Sequence, residues 1–246
     1  MNEISEFLTW VLLTLSIVSL SLCVSRRYGV EVAVGIYASL TIISNVIAFK
    51  RVAIGQIGSL SILAPAGVIV YASTFLVTDL ICEVYGKEKA KRAVLAGFLS
   101  NLIAVISFLI AIKWTPAPQT IMPERELEAF NTVLSLAPRI VLASIIAFII
   151  SQTHDVYAFH FWKKVTRGKY LWIRNNLSTV TSQGIDTFVF IFISFYGILD
   201  LGSIAALMVG QYVAKVSIAL VDTPFIYLVT YAHQRSGVDP NHYVKK

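Results

Sequence analysis

Charged residues are scarce in this chain of 246: Asp, Glu, Lys and Arg together make up 14%, against roughly 25% in an ordinary soluble domain. With 57% hydrophobic residues and a mean hydropathy of +0.74, that scarcity excludes a water-soluble globule, which could not hide so much apolar surface. It also excludes a disordered or low-complexity chain. Cysteine is nearly absent. Cys23 and Cys82 lie inside apolar runs and offer neither a disulfide framework nor metal-ligand spacing. There is no Gly-x-x-x-x-Gly-Lys-Ser/Thr loop, no His-Glu-x-x-His pair and no Gly-x-Ser-x-Gly elbow. P-loop ATP hydrolysis, zinc proteolysis and serine-hydrolase chemistry by those routes are therefore excluded. No Gly-x-Gly-Asp-like motif supports an intramembrane aspartyl enzyme, and no span carries the periodic arginines of a voltage sensor. The chain reads as a protein that is not an enzyme and needs no cofactor or metal.

Long apolar runs are what the chain has instead. A membrane span needs about 20 mainly apolar residues, because the hydrocarbon core is about 30 Å thick and a helix rises about 1.5 Å per residue. Seven segments qualify: 7–24, 30–47, 65–85, 93–112, 133–155, 177–196 and 203–231. Residues 52–64 are moderately apolar and read as a partly embedded loop. The first span follows Glu3 and Glu6 rather than a basic stretch, which speaks against a signal peptide. The net charge of +6 would suggest nucleic acid in a soluble protein. Here the basic residues cluster between apolar runs, so no nucleic-acid partner is expected. Fourteen of the 20 Lys and Arg fall on one side, among them Arg26, Arg27, Lys87, Lys163 and Arg174. By the positive-inside rule that side is cytoplasmic, leaving the N-terminus outside and the C-terminus inside a cell membrane.

A few polar residues interrupt the spans. A charge at the bilayer centre costs roughly 2.5–3.5 kcal/mol on insertion scales, so each needs a reason. Counted along their helices, Asp79 lies about 21 Å deep, Asp186 about 14 Å and Lys215 about 18 Å, all near the midplane, with Asn45 somewhat further out. Tyr71, Phe75, Asp79 and Glu83 repeat every fourth residue and form one stripe. Thr179, Ser182, Gln183, Asp186 and Phe190 form a second, Gln211, Lys215 and Asp222 a third, and Ser144, Ser151 and Asp155 a fourth, with Gln152 beside it. Lipid cannot satisfy such stripes, so they are expected to enclose a polar pocket inside a helical bundle. The plain alternative for Asp79, Asp186 and Lys215 is a structural salt bridge, but two carboxylates and one ammonium leave a carboxylate over. Asn45, Gln152 and Gln183 also read as interhelical glue, Arg139 as a snorkelling residue, Glu83 and Asp155 as groups reaching water at the inner end. The segment 163–169 reads as a basic cytoplasmic loop touching anionic lipid. Ser-Gln-x-x-Asp occurs twice, at 151–155 and 182–186, a hint of an internal repeat.

The stretch STFLVTDLICEVYGKEKAKR at 73–92, with its Thr-Asp-Leu, Tyr-Gly and basic residues, resembles the queuosine-precursor transporter family, also called the vitamin-uptake-like transporter family. Further blocks follow in family order: Ser44-Asn45, Pro138-Arg139 through Ser144, Gln152, Asp155-Val156, Ser182, Asp186-Thr187, Phe190 and Lys215. The resemblance implies an all-α polytopic membrane protein with a six-helix transporter core at 30–246 and an added N-terminal transmembrane helix at 1–29. It also implies import of 7-deazaguanine compounds, queuine or its pyrrolopyrimidine precursors, for tRNA modification. The expected substrate is thus a small heteroaromatic. Candidate contacts are Asp79, Asp186, Lys215, Asn45, Gln152, Gln183, Glu83, Phe75, Phe190 and Arg139. A carboxylate suits the paired N–H donors of a deazaguanine edge, Lys215 or an amide its carbonyl, and an aromatic face its ring. Protons are a candidate second partner, through Asp79 or Asp186, with facilitated diffusion as the alternative. A substrate-binding subunit of an ATP-driven, energy-coupling-factor-type vitamin importer is the rival function.

Overall fold

The computed structural model describes residues 3–48, 50–57, 60–134 and 138–234. Apolar composition and few helix breakers within each run produce eight helices among these residues, seven of them long and apolar enough to cross a membrane. They are α1 (Glu3–Tyr28), α2 (Val30–Ile47), α3 (Val68–Tyr85), α4 (Lys87–Lys113), α5 (Glu124–Leu134), α6 (Pro138–Val165), α7 (Leu171–Phe195) and α8 (Leu201–Gln234). The seven long ones, all but α5, coincide with the seven expected spans, and the protein is an all-α polytopic membrane protein. Two of the reversals take a single residue. Gly29 between α1 and α2 has φ 97° and Gly86 between α3 and α4 has φ 87°, a left-handed backbone that only glycine adopts without strain. Both follow a tyrosine and sit among the basic residues, so these turns and the α6–α7 turn gather most of the positive charge at one end of the bundle.

Helix α3 occupies the middle. Every residue of Ala72–Val84 is buried, and α3 packs against α1, α2, α4, α6, α7 and α8. Its polar residues therefore face protein on all sides. The rest of the bundle presents an apolar exterior, as on α4, where Leu95, Leu99, Ile103 and Ile106 are all exposed, the pattern expected of a lipid-facing surface. Helix α1 packs along α8, α2 and α3 through Val11, Leu15, Val18 and Leu22, spaced at helical intervals and nearly fully buried. Ser25 and the His233 ring of α8 meet at 3.0 Å, and Tyr85 donates to the Ser25 carbonyl at 3.2 Å, tying α1 to α3 and α8.

One segment between spans forms paired strands where the sequence suggested an embedded loop, and a short helix lies in another. Two strands, β1 (Arg51–Ile57) and β2 (Leu60–Pro65), pair antiparallel as a hairpin, with a bulge between Ala53 and Gly55. The hairpin pairs the facing backbone groups of its two strands, which an embedded irregular loop could not do. It caps the end of the bundle opposite the basic turns. Helix α5 is amphipathic, has no buried residue and packs against α4. At the same end Asp200 caps α8, accepting from the Ser203 amide at 2.9 Å and its hydroxyl at 2.5 Å. Those bonds hold its carboxyl below the usual range.

The closest approach of α2, α4 and α6 depends on Gly97. A Cβ there would stand 2.5 Å from Tyr37 Cε1 and 3.2 Å from the Phe148 ring. Gly97→Val is expected to cost about 1–3 kcal/mol and to lower the thermal midpoint of the purified protein by about 2–10 °C. Gly35→Ala, with nothing within 4 Å of the new Cβ, is the matched control and leaves the midpoint unchanged or raised.

Candidate functional site

A cavity of about 80 Å3 opens toward the hairpin end, smaller than the roughly 300–1,000 Å3 of small-molecule sites. Each neighbouring helix contributes a polar or aromatic group: Ser44 and Asn45 from α2, Tyr71 from α3, Ser144 from α6, Asp186 and Phe190 from α7, Gln211 and Lys215 from α8. Pro65 and Gly67, where the hairpin joins α3, complete the rim. The charged centre is Asp186. Lys215 forms an ion pair with its Oδ2, the Tyr71 hydroxyl donates to Oδ1 at 2.6 Å, and the Ser151 hydroxyl donates to Oδ1 at 3.0 Å. The Lys215 ammonium also lies 5.2 Å from the Tyr71 ring centroid. Asn45 Nδ2 donates to Asn101 Oδ1 at 2.7 Å, and Ser144 approaches Asn45 Oδ1 at 3.5 Å.

A second polar layer lies deeper. Asp79 on α3 accepts from the Thr179 hydroxyl at 3.1 Å. Thr179 and Asp186 are two turns apart on α7, roughly 10 Å along the axis, so Asp79 does not share the cavity's level. The midplane group expected from the sequence is split: Asp186 and Lys215 above, Asp79 below, beside Asp155 of α6. Thr78 links the two levels, approaching both Gln152 Oε1 and Asp155 Oδ2 at 3.4 Å, while Gln152 Nε2 donates to Thr74 at 2.9 Å.

The two Ser-Gln-x-x-Asp segments answer each other across this region. Helices α6 and α7 run antiparallel, so the serine of each meets the aspartate of the other: Ser151 donates to Asp186, and Ser182 is directed at Asp155. His154 and Ser182 add a contact at 2.9 Å. The environments then diverge. Asp186 has Lys215 as counter-ion, whereas Asp155 faces Asp79.

At the basic end a third polar group is closed off from solvent. Glu83 receives Arg174 at 2.6 Å on Oε1 and Lys163 at 3.2 Å on Oε2, and Lys163 also donates to the Glu83 carbonyl at 2.7 Å. All three are at most 3% exposed. This differs from the sequence expectation that Glu83 reaches water and Lys163 lies in a loop along the lipid. Lys163 and Arg174 are close enough to the ends of α6 and α7 to read as positive-inside residues, but their side chains turn inward and join α3, α6 and α7.

Of the residues singled out from sequence, Asp186, Lys215, Asn45 and Phe190 line the cavity. Phe75 stands one turn below its rim against Tyr71, with ring centroids 5.9 Å apart. Gln152, Gln183 and Asp79 are buried beneath it, and both amide atoms of Gln183 lack a hydrogen-bond partner. Glu83 belongs to the basic-end triad, and the side chain of Arg139 lies outside the described residues. Sequence reasoning missed Asn101, the amide partner of Asn45, and the pairing of Asn175 with Asp222 at 2.9 Å. Both are buried amides inside spans, and that was the available signal.

Seven membrane-length apolar helices around a part-open polar cavity define a polytopic membrane protein. Comparison with known proteins narrows this. The family model described as "Putative vitamin uptake transporter" matches residues 65–229, more than half of the chain, and the chain belongs to that family of membrane transporters. A protein of Bacillus subtilis (strain 168) named "Probable queuosine precursor transporter" is 32% identical over 165 residues, covering 67% of this chain and 70% of that protein. A second protein of that name, from Haemophilus influenzae (strain ATCC 51907 / DSM 11121 / KW20 / Rd), is 26% identical over 157 residues, covering 63% of this chain and 61% of its own length. No solved structure matches the chain.

The ion pair at the cavity makes a stability prediction. Lys215→Met strands a buried carboxylate and is expected to cost roughly 3–5 kcal/mol. Adding Asp186→Asn removes the stranded charge and recovers more than half of that loss. Thermal unfolding in detergent of the two single variants and the double variant checks the coupling.

Proposed function

We propose that the protein imports a 7-deazaguanine, queuine or a pyrrolopyrimidine precursor of it, by alternating access, with the cavity around Asp186 as the outward-facing substrate site. The observation that carries this reading is the chemistry of that cavity. A deazaguanine presents adjacent N–H donors along one edge, and the Asp186 carboxylate is the acceptor suited to them. Its ring carbonyl takes a donor from Lys215, Asn45 or Gln211, and its flat face packs on Phe190 or Tyr71. The names of the two relatives support the same substrate class.

The geometry also suggests how binding drives closure. Oδ1 of Asp186 already accepts from Tyr71 and Ser151, while Oδ2 holds Lys215 alone. A donor edge arriving at Oδ2 displaces the ammonium toward the substrate carbonyl. The tie between α7 and α8 is then made through the ligand, and binding has a differential effect on the two conformations, as any ligand-driven shift requires. The Glu83–Lys163–Arg174 triad keeps the opposite end shut meanwhile. With the basic turns cytoplasmic, the hairpin, α5 and the cavity mouth face outward.

Labelled queuine uptake into cells unable to make queuosine, with and without this protein, tests the function. Uptake is expected only with it. Asp186→Asn is expected to abolish uptake while the protein still reaches the membrane; normal uptake by that variant removes the site. Sidedness is checked separately with single cysteines and a membrane-impermeant maleimide on intact cells. A cysteine at Glu124 is expected to react and one at Lys164 to stay unlabelled, and the reverse pattern inverts the topology.

A further inference from the structure

Three buried carboxylates take no part in the substrate cavity. Asp79, Asp155 and Asp222 are each at most 1% exposed. None joins the ion pairs found among the described residues, whose acids are Glu83, Glu88 and Asp186. Asp79 and Asp155 face one another across the α3–α6 contact, within hydrogen-bond reach. Oδ2 of Asp79 accepts from Thr179 at 3.1 Å, and Oδ2 of Asp155 is approached by Thr78 at 3.4 Å. The Oδ1 atom of each has no donor. Asn175 adds a third such acceptor: its amide nitrogen donates to Asp222, while its own Oδ1, fully buried, has no donor. This lining has a surplus of acceptors and is short of hydrogens.

The surroundings do not supply the missing positive charge. Tyr37 faces the pair from α2, Cys82 and Glu83 from the next turn of α3, Arg174 from α7 and Asp222 from α8. Of the nearest cations, Arg174 and Lys163 are both engaged by Glu83. Two carboxylates in contact inside a bundle surrounded by lipid cannot both stay ionised, because repulsion and desolvation act together. One proton between them removes a charge and fills the contact. A metal ion fits less well, since no cluster of three acidic, histidine or cysteine side chains among the described residues is arranged to hold one.

We infer that the Asp79–Asp155 pair is a proton-binding site coupled to import, taking up a proton from the cavity side and releasing it toward the basic end in each cycle. The inference rests on the import reading above for its transport half. The coupling route is present. From Asp155 the contacts run through Thr78 and Gln152, and the adjacent Ser151 bonds Asp186. Rearrangement at the substrate carboxylate is therefore felt at the pair. The repeat sharpens the point: Asp155 and Asp186 hold equivalent places in two matching segments, yet one is balanced by an ammonium and the other by the shared proton.

The protein in lipid vesicles provides two readouts. Infrared spectra of the wild type at neutral pH are expected to show the carbonyl band of a hydrogen-bonded carboxylic acid, shifted or lost in Asp155→Asn and untouched in the exposed control Asp200→Asn. A band identical in wild type and Asp155→Asn overturns the proton pair, whatever the protein carries. For transport, an inward-directed gradient of one pH unit sustains about tenfold accumulation of labelled queuine through one coupled proton. Asp155→Asn is expected to lose that accumulation yet exchange internal for external queuine at nearly the wild-type rate, because exchange does not require the proton to leave. Accumulation by the wild type that ignores the gradient, or by Asp155→Asn that still follows it, overturns the coupling. Absence of queuine exchange in the wild type defeats the import reading instead, and the infrared comparison then decides the proton pair alone.

Discussion

A carboxylate in the hydrocarbon layer has to be satisfied by protein, and Asp186 shows what that constraint builds. Its two oxygens receive a tyrosine hydroxyl from α3, a serine hydroxyl from α6 and an ammonium from α8, while its own backbone belongs to α7. One side chain thereby fixes the mutual placement of four helices. Hydrophobic burial cannot do this in a membrane, because lipid tails are as apolar as leucine and do not discriminate one helix register from another. The polar contacts do, and the cavity lies where these four helices meet.

The deeper polar layers follow the same rule with less complete satisfaction. Gln183 has neither amide atom bonded, and the unbonded oxygens of Asp79, Asp155 and Asn175 cluster below the cavity. Such groups are costly in a static fold. They sit on α3, α6 and α7, the helices that also carry the Glu83–Lys163–Arg174 triad. Partners that are only partly engaged in one conformation are free to engage in another.

Most of the architecture was legible from the sequence. Apolar run length located the seven spans, and the Lys and Arg count separated the two ends. The pairing of β1 with β2 was not legible, because their polar and apolar residues alternate too weakly to mark a strand and the pairing is made by backbone groups. Among the candidate residues, Asp186, Lys215, Asn45 and Phe190 converge on one cavity, and the four-residue stripes identified all but Asn45 for a physical reason: side chains four apart share a face. The division of the carboxylates into two levels was hidden, because depth counted from span ends carries an error of about one turn at each boundary. The burial of Lys163 and Arg174 was hidden for a different reason. A long basic side chain at a helix end can snorkel outward or turn inward, and only the position of Glu83 decides which.

The triad and the cavity together constrain how the protein moves. The Glu83–Lys163–Arg174 contacts join α3, α6 and α7 at the basic end, and the Asp186 contacts join the same three helices plus α8 at the hairpin end. A rigid rotation of α3 against α6 and α7 that opened the basic end would strain both sets at once. Breaking the triad alone would leave buried charges uncompensated, a penalty of several kcal/mol unless water enters as it opens. The two ends are therefore joined through helices they share. The Thr78–Gln152–Asp155 contacts lie between the two sets, where any relative shift of α3 and α6 must pass.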